Sequence, residues 1–294
     1  MPVSAPPADV VVTTGLVRRL LRDQHPDLAG LPLRRLGTGW DNVVLRLGRE
    51  LTVRVPRRQL GAALVGTELR WLPHLAPRLP IAVPEPVRAG PPAVGYPYPW
   101  AVCRFVAGRP VAADPLVGRA GLAAAEALAG VLVALHEPAP ADAPRNPLRG
   151  VPLEQRTEPF ARAVAELPSG LRGPAERVWA QVVDLPGGTG PARWLHGDLH
   201  GLNVLVVRNR ISGVIDWGDV CAGDPATDLA CGWLMLDRAG RERLRALVAV
   251  DEDTWQRGRG WALYLSVMFL AHSAGAPVHH ELGRRGLAEV LAPR

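Results

Sequence analysis

Apolar residues recur along this chain with two periods, and the change between them divides it. Leu16, Val17, Leu20 and Leu21 fall at helical spacing and are followed by His25 and Pro26, so a short helix is expected to end there. From residue 33 to residue 55 the spacing tightens to that of strands, and glycine-marked breaks at 37–39 and around Gly48 cut the segment into three. Residues 60–76 return to the helical period, with Leu64, Trp71, Leu72 and Leu75 as an apolar stripe. Two more strands are expected at 83–89 and 100–106, parted by the Gly/Pro-rich "GPPAVGYPYP". Beyond Gly108 the chain is rich in Ala and Leu, and helices are expected at 116–136, 153–167, 171–183, 225–236, 241–250, 254–272 and 278–291. The pattern predicts an α+β chain of two parts: residues 1–104, small and sheet-rich with one main helix, and residues 105–294, larger and mostly helical.

Composition narrows the classes. With 294 residues and 48% hydrophobic content the chain can build real cores, which excludes disorder as an overall description. All 34 of its basic residues are arginine. A net charge of +6 raises nucleic acid as a partner, but the arginines stand singly or in pairs, with no stripe interleaved by aromatics. No nucleic-acid partner is expected. Cys103, Cys221 and Cys231 form no C-x-x-C spacing and leave an odd count, which points to a reduced cytoplasmic protein without a disulfide framework. The N-terminus lacks a basic leader, its Pro/Ala-rich start reads as flexible, and the apolar run 260–271 is too short to cross a bilayer. That run is expected to be a core helix, and no membrane partner is expected.

The chemistry concentrates in "WLHGDLHGLNVLVV", residues 194–207. Alternating His196, Asp198 and His200 would share one face of a strand and offer three metal ligands, but Gly197 and Gly201 indicate an irregular loop instead. The pattern H-R-D-L-x-x-x-N of a kinase catalytic loop uses more of the letters: His196-Gly197-Asp198-Leu199 with Asn203 has the same Asp-to-Asn spacing. In that pattern Asp198 orients the attacking hydroxyl. "VLVV" and "GVID" flank an "RNR" turn, and a hairpin there would return Asp216 beside Asn203, giving two oxygen ligands suited to Mg²⁺. Asp198 and Asp216 beside glycines are equally able to satisfy turn backbones.

On these residues, on "GVIDWGDVCAGDPATDLA" and on the two-part organisation, the chain from about residue 30 onward resembles the aminoglycoside phosphotransferase family of protein-kinase-like small-molecule kinases. The resemblance implies a two-lobed kinase-like fold, with Asp198 as catalytic base and Asn203 and Asp216 as Mg²⁺ ligands. It also makes "GTGWDN" the nucleotide loop, with backbone amides from Thr38 through Gly39 to Asn42 near the phosphates. The backbone of Arg104, Phe105 and Val106 would meet the base of ATP or GTP. By the same analogy Asp228 braces the catalytic loop, His196 packs and orients it, and His200 anchors it.

One expected letter is missing. A kinase holds the α- and β-phosphates with a third-strand lysine paired to a helix glutamate, and this chain has no lysine. "LTVRV" places Arg54 in the lysine position, and Glu68 interrupts the apolar stripe of the following helix, where a carboxylate needs a partner. A surface role for Arg54, beside Arg57 and Arg58, is the competing reading. The resulting expectation is transfer of the γ-phosphoryl group of an NTP to a small-molecule hydroxyl, most readily on an aminoglycoside-type antibiotic, by a monomer or weak dimer. Macrolides, metabolic alcohols and a nucleotide-binding pseudokinase stay open. For a polycationic acceptor the available acids are Asp219, Asp237, Asp251, Glu252, Asp253, Glu281 and Glu289, although "DED" also suits a helix start and Asp224-Pro225 a capped one.

Overall fold

The structure is a computed structural model, and it describes residues 7–113, 116–188, 190–273 and 275–293. Most of the expected flexible start, residues 1–6, lies outside them.

Helix α1 (Thr14–Gln24) begins where the Thr13 side chain accepts from the Leu16 amide and ends before His25-Pro26. Strands β1 (Leu33–Thr38), β2 (Asn42–Leu47), β3 (Leu51–Pro56), β4 (Pro86–Gly90) and β5 (Trp100–Arg104) form one antiparallel sheet in the order β1-β2-β3-β5-β4. Alternation along β3 explains its two faces. Val53 and Val55 join Val43, Leu45, Leu47, Trp100 and Val102 beneath Leu16, Val17, Leu20 and Leu21 of α1. The opposite face receives α2 (Gln59–Leu75), with Val65 against Ala101 and Cys103. The expected stripe of α2 is displaced by one position: Val65 is buried and Leu64 only half-buried, as is Trp71, while Leu72 and Leu75 are buried as expected. Glu68 lies on this buried face with 1% of its side chain exposed.

After the short strand β6 (Arg109–Pro110) come helices α3 (Gly118–Leu135), α4 (Thr157–Val164) and α5 (Ser169–Val182). Strands β7 (Arg193–Leu195), β8 (Val204–Val207), β9 (Arg210–Val214) and β10 (Cys221–Gly223) follow, then α6 (Ala226–Leu229), α7 (Cys231–Met235), α8 (Arg238–Val248), α9 (Glu252–His272) and α10 (Pro277–Leu291). The expected helix 225–236 is thus broken into two, and 153–167 begins as a 3-10 turn, Leu153–Arg156, before α4. Helix α9 is buried almost all round from Thr254 to Val267 and carries the core of this half. Among the described residues α3 has the length and apolar character to cross a bilayer; here its Ala124, Ala125, Leu128, Leu132 and Leu135 are buried in the same core. That core also takes in Leu72, Leu75, Leu79 and Val83, so the far end of α2 is anchored on the helical half.

Candidate active site

The loop between β7 and β8 is held from beneath by one carboxylate. Asp228 is fully buried on α6 and accepts from the backbone amides of His196 (2.8 Å) and Gly197 (2.9 Å), while His136 Nε2 lies 3.2 Å away. Burial pushes its carboxyl up, but the contacts with His136 and His196 outweigh that and hold it below its usual value. Gly197 has φ +83°, and a Cβ there would come within 2.6 Å of the Asp219 carbonyl oxygen, so the loop needs glycine at this point. His196 is buried edge-on to Trp217, with ring centroids 4.7 Å apart, and its Nε2 meets Ile215 O at 3.1 Å. Its Nδ1 accepts from Asp198 N (3.2 Å), so the ring is packed beneath the loop.

Asp198 rises from this base and is contacted on both oxygens. Oδ2 takes His200 Nε2 (3.1 Å) and Asn203 Nδ2 (3.1 Å), and Oδ1 takes Arg149 Nη2 (3.0 Å). Burial opposes its charge, yet His200 and Arg149 together hold the carboxyl far below its ordinary range. Asn203 also donates to the Asp198 carbonyl (2.9 Å), which leaves the amide oxygen as its remaining donor atom for a cation.

The β8–β9 hairpin turns through Arg208 and Asn209, both at positive φ, the backbone of a two-residue hairpin loop. Its return brings Ile215 N to Asn203 O (2.8 Å) and so sets Asp216 beside the 194–203 loop. Asp216 has left-handed backbone, φ 66° and ψ 61°, an outlier of the kind concentrated at functional positions. Its side chain is 49% exposed.

Arg54 closes the constellation. Its Nη1 donates to Glu68 Oε1 (3.2 Å) and its Nη2 pairs with Asp216 Oδ1, with 11% of the side chain exposed, which removes the surface reading. Burial disfavours the guanidinium charge, but Glu68 and Asp216 more than compensate. Glu68 is less well served: burial pushes its carboxyl up, and Arg54 offsets this only in part because Asp216 shares the same guanidinium and repels Glu68. Glu68 also accepts from Trp217 N (3.3 Å), joining α2 directly to the Asp216 turn.

The glycine loop is sparser. Gly39 N donates to Asn42 O (2.8 Å), and Arg35 Nη1 reaches the Thr38 hydroxyl (3.3 Å). Asp41 pairs with Arg58 (3.1 Å); its carboxyl is pushed up by burial, against the pull of Arg58. The Gly39 amide therefore serves the turn itself. At the junction of the two halves, Arg104 N and Phe105 N donate to Glu85 O (2.9 Å) and Glu50 O (2.7 Å). Of the three residues whose backbone was expected to meet a base, Val106 is the one whose amide makes no hydrogen bond among the described residues.

Several participants carry no local sequence signal. Arg149 lies in a proline-rich loop, His136 follows α3, and the Asp41–Arg58 pair joins separate elements. Asp224 does cap α6, accepting from Ala226 N (3.0 Å), but it also forms a paired contact with Arg257, buried on α9. The acids proposed for a polycation are largely engaged elsewhere. Asp237 and Asp251 cap α8 and α9, Glu252 pairs with Arg245, Glu281 with Arg284 and Arg285, and Glu289 with Arg241. Asp219 accepts from Asn146 (2.8 Å).

An antiparallel-sheet half with one main helix, a helical half, and an Asp-loop facing an Arg-Glu pair define the two-lobed protein-kinase-like class. Residues 32–261 match the family model described as "Phosphotransferase enzyme family", and the chain belongs to that family. Over 114 residues it is 41% identical to a viomycin phosphotransferase of Streptomyces vinaceus, a match spanning 37% of this chain and 36% of that relative. Across 95% of its length it is similar in structure to the GDP complex of an aminoglycoside 2'-phosphotransferase, covering 97% of that chain with a TM-score of 0.71 and 21% identity. A macrolide 2'-phosphotransferase of Brachybacterium faecium is similar over the same share of this chain and 99% of its own, with a TM-score of 0.63 and 22% identity.

Proposed function

We propose that the chain is an NTP-dependent O-phosphotransferase whose acceptor is a hydroxyl of a small antibiotic, aminoglycosides first. One observation carries the reading: an unbroken line of contacts runs from Glu68 through Arg54 to Asp216, and from the neighbouring Ile215 through Asn203 to Asp198. Phosphate-binding cation, metal-type oxygens and hydroxyl-orienting carboxylate thus meet in one place. Relatives that are GDP and ADP complexes, or complexes with kanamycin or streptomycin, support nucleotide and acceptor binding at this site.

In this mechanism Arg54 fixes the triphosphate and the Val106 amide is offered to the base. Asp198, anionic and fixed on both oxygens, orients the acceptor hydroxyl. That oxygen forms the new bond to phosphorus while the bond to the β-phosphate oxygen breaks, and the proton passes through Asp198 to water. No three His, Cys, Asp or Glu side chains gather into a metal cage among the described residues. Mg²⁺ needs fewer protein ligands, since substrate phosphates and water complete its shell, and the half-exposed Asp216 carboxylate with the Asn203 amide oxygen fits that demand. Bound there, the ion would neutralise phosphate charge. We place the lobe division at 104/105 and the protein in the cytoplasm as a monomer or weak dimer, consistent with three buried, unpaired cysteines.

The engaged acids favour a second acceptor class, macrolides or other weakly charged alcohols. The test is incubation with Mg²⁺ and ATP or GTP against aminoglycosides, macrolides and small alcohols, read by mass. A gain of about 80 Da, one phosphoryl group, on an aminoglycoside supports the first class, and on a macrolide or alcohol the second. Bound nucleotide with no product on any acceptor means an acceptor outside this panel or a pseudokinase.

A further inference from the structure

Between α3 and the 3-10 turn at Leu153–Arg156 the chain has neither helix nor strand, yet residues 144–150 are fastened almost one by one. Ala222 N donates to Pro144 O (2.8 Å), Asn146 Nδ2 to Asp219 Oδ1 (2.8 Å), Gly150 N to the Thr227 hydroxyl (3.1 Å) and Asp224 N to Gly150 O (3.0 Å). Gly150 has φ +67°, and a Cβ there would lie 2.7 Å from Leu195 Cδ1 and 2.9 Å from the Gly223 Cα. Only glycine fits, and its role is to present its neighbour.

That neighbour, Arg149, reaches Asp198 Oδ1 through Nη2. Its Nε is buried without a partner, and Nη1 makes no hydrogen bond among the described residues, with Asp219 in electrostatic reach of the guanidinium. Of the other cationic groups near Asp198, His279 is held below its usual value by burial and by His200, against the pull of Asp198. His200 stands two residues after Asp198, but its Nε2 faces Asp198 and its Nδ1 accepts from Leu202 N (3.3 Å). Arg54 is bound to Glu68 and Asp216. Phosphoryl transfer spreads charge over three equatorial oxygens and needs cations placed to meet it.

We propose that Arg149 is a catalytic residue of the transfer, its Nη2 holding Asp198 and its Nη1 meeting the oxygens of the migrating phosphoryl group. This rests on the phosphotransferase reading above. The acceptor oxygen bonds to phosphorus, the bond to the β-phosphate oxygen breaks, the NDP leaves, and the hydroxyl proton passes to Asp198 and then water. Arg149 exchanges no proton and supplies fixed positive charge throughout.

The experiment compares wild type, Arg149→Lys and Arg149→Met. It measures phosphate release from ATP and GTP to water, which needs no acceptor, together with nucleotide affinity and melting temperature, with and without added guanidinium. Expected is a fall in kcat of about 10² to 10³-fold for Arg149→Met. Nucleotide affinity and fold should be retained, Arg149→Lys should be intermediate, and guanidinium should restore part of the lost turnover. Near-wild-type turnover in a folded Arg149→Met, or a loss that follows melting temperature and ignores guanidinium, would overturn the proposal. A wild-type protein that binds nucleotide but releases no phosphate, and phosphorylates no acceptor, would overturn the phosphotransferase reading and this proposal with it.

Discussion

The loop at 194–203 lies beside the Asp216 turn, the glycine loop at 37–42 is near enough for Asp216 to act on Asp41, and the two are held in opposite ways. In the first, Asp228 fixes two backbone amides, Asn203 fixes the Asp198 carbonyl, and three side chains grip the Asp198 carboxylate. In the second, the ties are mostly at its base: an internal turn bond, the Arg57 amide on the Asp41 carbonyl (2.8 Å), a threonine–arginine contact and the Asp41–Arg58 pair, while Trp40 stands 45% exposed. A loop that aligns one hydroxyl benefits from rigidity, because small misplacement is costly in rate. A loop that must admit and release a triphosphate benefits from few ties, and such segments belong to the low-stability end of a fold.

Asp228→Ala should break the contrast most strongly. Removing a buried carboxylate that serves two amides and His136 is expected to cost about 3–5 kcal/mol in urea unfolding. The same group fixes a pH dependence. Because its folded value lies below the ordinary 3.8, its stabilisation is present above that value and is lost as pH falls through the depressed one. Acid unfolding of Asp228→Ala should lack this component, and identical acid limbs for the two proteins would contradict the brace.

Arg54→Met comes next. It leaves Glu68 buried without its cation, and kcat/KM for nucleotide should fall by about 10 to 100-fold, equivalent to about 1.4–2.8 kcal/mol. Arg54→Lys sharpens the point, since a compact ammonium cannot span Glu68 and Asp216 as a fork does. Full activity in both variants would remove Arg54 from phosphate binding. The smallest effect belongs to the glycine loop: Trp40→Ala should change stability by no more than about 0.5 kcal/mol, and a large loss would show the loop to be structurally tied.

The same contrast explains what the sequence revealed. Asp198, Asn203 and Asp216 stood out because the kinase-loop pattern puts those side chains at those spacings, and the Arg54–Glu68 contact was legible because a carboxylate on an apolar helix face needs a cation. The five strands and main helices followed from periodicity. The stripe of α2 shifted because its face is set by Val65 packing under Ala101 and Cys103, a tertiary choice that periodicity alone does not resolve. The glycine loop was expected to act through its backbone, and its letters equally describe a turn, which is where the Gly39 amide is spent. Arg149 was invisible for a different reason: its contact with Asp198 spans 49 residues and depends on Gly150 fitting against Leu195 and Gly223.

The measurement that bears most directly on the central claim is single-turnover transfer by wild type and Asp198→Ala, with nucleotide affinity determined on the same samples. The account predicts that the variant binds ATP or GTP as wild type does while its transfer rate falls by about 10² to 10⁴-fold. Equal transfer rates in the two proteins would contradict it.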